Sequence, residues 1–262
     1  MSVGLRSPAA KIRLLFDTAW GKYAVLFPPT PVVSILTASN PMQPLSKLFT
    51  FTLVCLASAI LPAADLKPLF SDDFEHGANH WQPGDANAWK IVETPQGKAF
   101  SLFQQSKYEP KHRSPINIAL VKDLFVSDFV LTTKVQSTVK DYGHRDMCLY
   151  FGYQDPAHFY YVHFGKQTDD HANQIFIVND APRTKISTKT TPGTPWTDDW
   201  HTLRVERTID DGSIKVYFDD LKNPAMTASD KTFIWGQAGI GSFDDIGNFD
   251  DFQIEGVKVD RK

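Results

Sequence analysis

The chain has 262 residues, 42% hydrophobic, 22% charged and 13% aromatic, which is ordinary globular composition and excludes collagenous, coiled-coil and fully disordered chains. Its formal net charge of -3 is uneven: residues 1–64 carry five Lys/Arg and one acid, leaving 22 basic and 29 acidic residues beyond them. An acidic domain without a basic run repels phosphate backbones, so nucleic acid is excluded as a partner.

Residues 1–41 are Pro-rich around Pro28–Pro31, carry no consistent hydrophobic period, and read as an over-extended, unstructured start. Met42 opens a better one. Lys47 supplies a positive charge, the apolar Leu48–Leu56 is too short to span a bilayer, and Ala57-Ser58-Ala59 offers a cleavage site, with Ala64 as a second choice. Residues 42–64 are therefore expected to be a secretory signal peptide. Residues 65–262 form one domain, secreted or periplasmic, with no membrane attachment after cleavage.

Helical periodicity is nearly absent from this domain. Short β-rich runs separated by turn residues recur instead: Trp89–Glu93, Ala99–Phe103, Ile116–Val121, Phe129–Gln136, Met147–Tyr153, His158–Phe164, Ile175–Asn179, Thr184–Ser187, Trp200–Arg207, Ile214–Phe218, Gly239–Phe243 and Phe249–Val259. Gln154-Asp155-Pro156-Ala157 and Asp210-Asp211-Gly212 are hairpin turns, the Gly tolerating the positive φ such turns need. Ile214, Val216 and Phe218 share one face of their strand, and Leu203 and Val205 point inward while Arg204 and Glu206 point out. About a dozen strands overfill one open sheet. The expected fold is all-β, a two-sheet antiparallel β-sandwich of jelly-roll type.

Cysteine is scarce. Cys148 stands alone once the leader with Cys55 is removed, so no intrachain disulfide forms, and Cys148 reads as a small buried hydrophobe. The absence of CxxC and HExxH spacings argues against zinc.

Several segments together resemble the concanavalin A-like lectin/glucanase superfamily, and its laminin G-like and 3-keto-disaccharide hydrolase branches most. They are Phe70-Ser-Asp-Asp-Phe74-Glu with Trp81, Ser127-Asp-Phe-Val-Leu-Thr-Thr133, Tyr150-Phe-Gly-Tyr153, Trp200-His-Thr-Leu-Arg-Val205, Gly212-Ser-Ile-Lys-Val-Tyr-Phe-Asp219, Gly239-Ile-Gly-Ser-Phe243 and Phe249-Asp-Asp-Phe-Gln-Ile254. The resemblance implies glycan binding or cleavage in the groove of a concave sheet. It departs from the laminarinase-like hydrolases, whose Glu-x-Asp-x-x-Glu strand is missing: residues 65–262 hold five Glu, no two within one strand. The Phe-Asn-Gly-Lys opening of the 3-keto-disaccharide hydrolases is missing as well. The resemblance further implies a structural calcium joining the first and last strands, through the Asp73 and Asp251 carboxylates and the Gly77 carbonyl, since calcium accepts several oxygens with flexible geometry. No organic cofactor is expected.

The densest polar-aromatic stretch runs from Arg145 to Arg183. Aromatic faces stack on sugar C–H faces, while Arg, Asn and His tips bond hydroxyls or carboxylates. Arg113, Asp146, Tyr150, Asn179 and Arg183 are the candidate substrate-binding residues, and His163, His158 and Tyr160 the candidate catalytic ones. Both faces of the His158–Phe164 strand mix aromatic and polar groups, so alternation leaves either free to line the groove. His201 reads as a core histidine hydrogen-bonded at a strand entry.

The primary expectation is an exported, monomeric domain that binds an oligo- or polysaccharide. The alternatives are a carbohydrate-active enzyme in the same groove and a laminin G-like protein-interaction module. As an enzyme it would be a glycoside hydrolase, 3-keto-disaccharide hydrolase-like, or a polysaccharide lyase using the His/Tyr/Arg site; an aspartate-based hydrolase, with Asp146 and Asp155 flanking the Met147–Tyr153 strand, is a further option. In the lyase an Arg neutralises a uronate, His163 or His158 takes the C5 proton and a Tyr protonates the leaving oxygen.

Overall fold

The structure is a computed structural model and describes residues 66–261; the expected leader and over-extended start at 1–64 lie outside the described residues. Sixteen strands and one short 3-10 turn account for the regular structure among those residues. They are β1 (Lys67–Asp72), β2 (Trp81–Pro83), β3 (Trp89–Thr94), β4 (Gly97–Leu102), β5 (Asn117–Val121), β6 (Val126–Ser137), β7 (Asp146–Asp155), β8 (His158–Gly165), β9 (Gln174–Asn179), β10 (Thr184–Lys185), β11 (Ser187–Thr190), β12 (His201–Arg207), β13 (Ser213–Phe218), β14 (Met226–Ser229), β15 (Gln237–Ser242) and β16 (Gly247–Lys258). Among the described residues no helix is long and apolar enough to cross a membrane.

Two antiparallel sheets pack face to face. The nine-stranded sheet runs β11-β14-β13-β12-β6-β16-β4-β3, with β1 also on β16; the seven-stranded sheet runs β10-β9-β8-β7-β15-β5-β2. Period-2 alternation explains the layering. Phe129, Leu131, Val135, Leu203, Val205, Ile214 and Val216 face inward from the larger sheet, and Met147, Leu149, Phe151, Tyr160, Val162 and Phe164 meet them from the smaller one. All of these are buried.

Most expected strands fall within a residue or two of their observed limits; three details differ. The Thr184–Ser187 run is two strands, because the chain changes sheets at Ile186: β10 pairs with β9 and β11 with β14. The short strands β2 and β14 carry too few residues to show a period. Gly152 does not continue the face of Cys148 and Tyr150. It sits at φ +57 in a bulge of β7, and a Cβ there would meet Tyr160 Cδ2 at 3.0 Å, on the opposite side of the sheet. His201 is the expected core histidine, its Nδ1 2.8 Å from Asp219 and its Nε2 accepting the Thr197 N–H at 3.1 Å.

One feature of β16 shapes the surface. Its first residues pair with β4 through Phe249, and from Phe252 onward the same edge pairs with β1. Between them the ladder with β6 slips from Asp250 opposite Lys134 to Gln253 opposite Thr132, so Asp251 and Phe252 form a bulge, Asp251 at φ +45. A strand that changes partners across a bulge leaves a notch in the sheet edge.

Candidate functional site

Strand β8 separates the three candidate catalytic residues. His158 and Tyr160 point to one face and His163 to the other, so they do not form one constellation. The Tyr160 ring lies in the inter-sheet core, stacked on Phe151 at 5.2 Å. Its hydroxyl donates to Asp230 and accepts the Phe233 N–H at 2.9 Å, and burial pushes the phenol up to about 12. Tyr160 is thus a core residue with a satisfied hydroxyl. His158 sits at the rim, its Nδ1 2.8 Å from Asp155 Oδ2 and its Nε2 3.1 Å from Asp180 Oδ2. The bond to Asp155 raises its pKa above the ordinary histidine value. Asn179 is exposed beside it, opposite His158 in register, and Arg113 is exposed with its carbonyl accepting the Arg183 N–H at 3.0 Å.

The outer face of the seven-stranded sheet gathers more of the expected residues, but closes over them. Cys148, Tyr150, Phe159, Tyr161, Phe176 and Val178 pack with Ile118 and Leu120 into a second apolar cluster, flanked by Tyr108, Tyr153 and Phe243. Tyr150 is fully buried, its hydroxyl donating to the Asn117 carbonyl at 2.7 Å. Arg183 spreads over the rings of Phe243 (4.2 Å) and Phe176 (4.7 Å) and donates to the Tyr161 hydroxyl at 2.9 Å. His163 is 4% exposed, and burial pushes its imidazole down to about 3, holding it neutral. Arg183, Tyr161 and His163 therefore do share one layer. Tyr161, the partner that alternation places with His163, is the residue missing from the expected set. Sugar rings have no access to this layer, because the protein's own side chains fill it.

Beneath the Arg183 layer lies an acidic centre. Asp146, at the start of β7, is buried, and Asp244 and Asp245 follow β15. One ligand oxygen from each falls within 4.8 Å of the others. Desolvation, reinforced by Asp245, drives the Asp146 pKa well up, and burial raises that of Asp245 too.

The open concave surface lies instead at the notch in β16. Ser71, Asp72, Asp73, His76, Gly77, Asn79, His80, Asp251, Phe252 and Gln253 line a cavity of about 550 Å³. A second of about 660 Å³ adjoins it through Ser71, His80 and Gln253 and continues past Phe70, Ile254 and Glu255. The His80 ring meets Phe70 edge-on at 6.0 Å, and Phe70 in turn packs on Trp81 and Phe252. Asp72 is held in place, accepting the Phe74 N–H and the Trp81 indole N–H, each at 2.9 Å.

Asp73, Gly77 and Asp251, the expected calcium ligands, all line the first cavity. Their donor set fits an ion poorly. The Lys134 ammonium is 2.6 Å from Asp251 Oδ2, where it already supplies the positive charge, and Asp73 Oδ1 accepts the Glu75 N–H of its own turn. His76, Asn79, His80 and Gln253 carried no sequence signal; they meet only because the β1–β2 loop folds over β16.

No family model matches the chain, and no curated protein matches it. Solved structures do. A GH43 protein from Bacillus licheniformis superposes with a TM-score of 0.51 at 12% identity, over 71% of this chain and 39% of that one. A protein of unknown function with a galectin-like fold, from Bacillus subtilis, gives 0.50 at 11% identity over 74% and 98%. A carbohydrate-binding module from Bacillus subtilis gives 0.49 at 18% identity over 68% and 96%. What the chain shares with these structures is the fold, a two-sheet antiparallel jelly-roll β-sandwich.

Proposed function

We propose that the domain is an exported carbohydrate-binding module whose ligand lies along the notch between β1 and β16. The observation that carries this is the pair of adjoining cavities, which present carboxylate, amide and imidazole groups beside the partly buried ring of Phe70. Hydroxyl-rich ligands with apolar C–H faces need that mixture. A GH43 protein and a galectin-like fold are among the structures this chain resembles, which agrees with the reading. Binding is favoured over turnover because two of the acids lining the notch are committed: both Asp72 oxygens accept hydrogen bonds and Asp251 is paired with Lys134.

The test is retention of the protein on a panel of neutral and uronate-containing polysaccharides, with reducing-end release followed in parallel. His80→Ala and Gln253→Ala should each weaken retention about five- to tenfold, the loss of one or two hydrogen bonds, and no sugar should be released. Undiminished retention in both variants would move the site elsewhere. Release of product would make the protein an enzyme. Failure to bind any polysaccharide would reject carbohydrate recognition in favour of a laminin G-like protein partner.

A further inference from the structure

We propose that Asp146, Asp244 and Asp245 bind one hard divalent cation of the calcium class, at a site distinct from the β1–β16 notch. Three carboxylates converge there from two places in the chain, the start of β7 and the turn after β15. Their donor oxygens lie within 4.8 Å of one another, no more than the span across an ion whose oxygen bonds are about 2.4 Å long.

Clustered acids alone do not make a metal site; the decisive feature is an orphaned oxygen. The Asp146 side chain is 1% exposed. Its Oδ2 accepts the Phe243 N–H at 2.8 Å and lies 3.4 Å from the Cys148 thiol, while Oδ1 is buried with no partner. Buried polar oxygens are nearly always satisfied, so an unsatisfied one calls for a missing ligand. The local charge points the same way. Among the described residues, no Lys or Arg nitrogen lies within 4 Å of the Asp146, Asp244 or Asp245 carboxylates, and the nearest ring nitrogen to Asp146 is His163 Nε2 at 3.6 Å. Buried carboxylates without a cation are costly.

The surroundings are built to hold donors still. Asp245 Oδ2 accepts the Asp146 N–H at 2.8 Å and its Oδ1 accepts the Tyr142 hydroxyl at 2.7 Å, which leaves further lone pairs on both oxygens. Asp244 is exposed and leaves a side open to water ligands. An all-oxygen set of this kind suits calcium, which takes six to eight oxygens in flexible geometry, better than a soft metal. The ion would fasten the turn carrying Phe243, and with it the Arg183 layer, to the start of β7.

The experiment uses the full chain freed of metal with chelator, then titrated with calcium chloride by calorimetry and melted with and without calcium. Wild type should take up one ion per chain and gain roughly 5–10 °C in Tm at about a hundredfold excess over Kd. Asp244→Asn, an exposed change that does not endanger folding, should weaken uptake at least tenfold, and Asp146→Asn should abolish it. Asp251→Asn should leave it intact. No uptake and no shift in wild type would overturn the proposal, as would uptake unaffected by Asp244→Asn. Uptake lost in Asp251→Asn alone would overturn it in favour of an ion in the notch. Polysaccharide retention is read separately, so failure here leaves the proposed function standing.

Discussion

Replacing Tyr160 by Phe removes one oxygen atom and leaves the ring, so it separates the hydroxyl's structural work from any work on a ligand. The ring contacts with Phe151 at 5.2 Å and Phe233 at 5.1 Å survive the change. Two hydrogen bonds do not: the one donated to Asp230 and the one accepted from the Phe233 N–H. Asp230 is only partly buried and water can replace the phenol there. Phe233 is 6% exposed and its N–H is left without a partner, which costs about 1–3 kcal/mol. A central value of about 2 kcal/mol corresponds to a drop in Tm of about 4–8 °C for a domain of this size. Urea unfolding should show a lower midpoint with an unchanged slope, because the exposed area on unfolding is the same. Polysaccharide retention should match wild type when measured well below the new midpoint. A midpoint that does not move would refute the structural role, and lost retention with unaltered stability would return Tyr160 to the ligand.

Two further expectations follow from the rim and the bulge. His158 is held above its ordinary value of 6.5, first by its bond to Asp155, so its stabilising effect is fully present below about pH 6.5 and is lost as pH rises through the folded value. The stability difference between wild type and His158→Gln should therefore shrink between pH 6 and pH 9, and an NMR titration midpoint at or below 6.5 would contradict the ion pairs. At Gly152, φ is +57 and a Cβ would come within 3.0 Å of Tyr160 Cδ2. Gly152→Ala should cost about 1–3 kcal/mol in urea unfolding; a neutral outcome would mean the bulge can relax into an ordinary strand.

The sandwich was legible because its physics is periodic. Ile214, Val216 and Phe218, or Leu203 and Val205, announce an inner face at every second position, and those residues are the core. Alternation also separates His158 and Tyr160 from His163, but it is silent on which face meets water. That depends on what covers the sheet. Tyr108 and Phe243, distant in sequence, seal the Tyr150–Tyr161 layer, and Arg183 bridges Phe176 and Phe243 across it. A polar-aromatic stretch is thus equally consistent with a groove and with a second core. The notch was illegible for a different reason. Its lining comes from a loop at 73–80 and from a bulge in the last strand, and neither has a period.

The bulge at Asp251–Phe252 links these observations. With an uninterrupted ladder, β16 would carry one neighbour along its whole edge, and the Asp72–Phe252 end of β1 would have no place to dock. Changing partners at the bulge lets β1 enter the sheet, and it leaves the β1–β2 loop beside the gap, with His76, Asn79 and His80 lining the same cavity as Gln253. The Thr133 hydroxyl holds the bulge by donating to the Asp250 carbonyl at 2.8 Å, and Lys134 neutralises Asp251 at 2.6 Å. Concavity at this edge of the sandwich therefore arises where strand pairing is interrupted, and the polar groups gathered there are the ones backbone pairing cannot use. Thr133→Val, which keeps the β-branched shape and removes the donor, should for that reason disturb ligand retention more than its buried position, away from the cavity wall, would suggest.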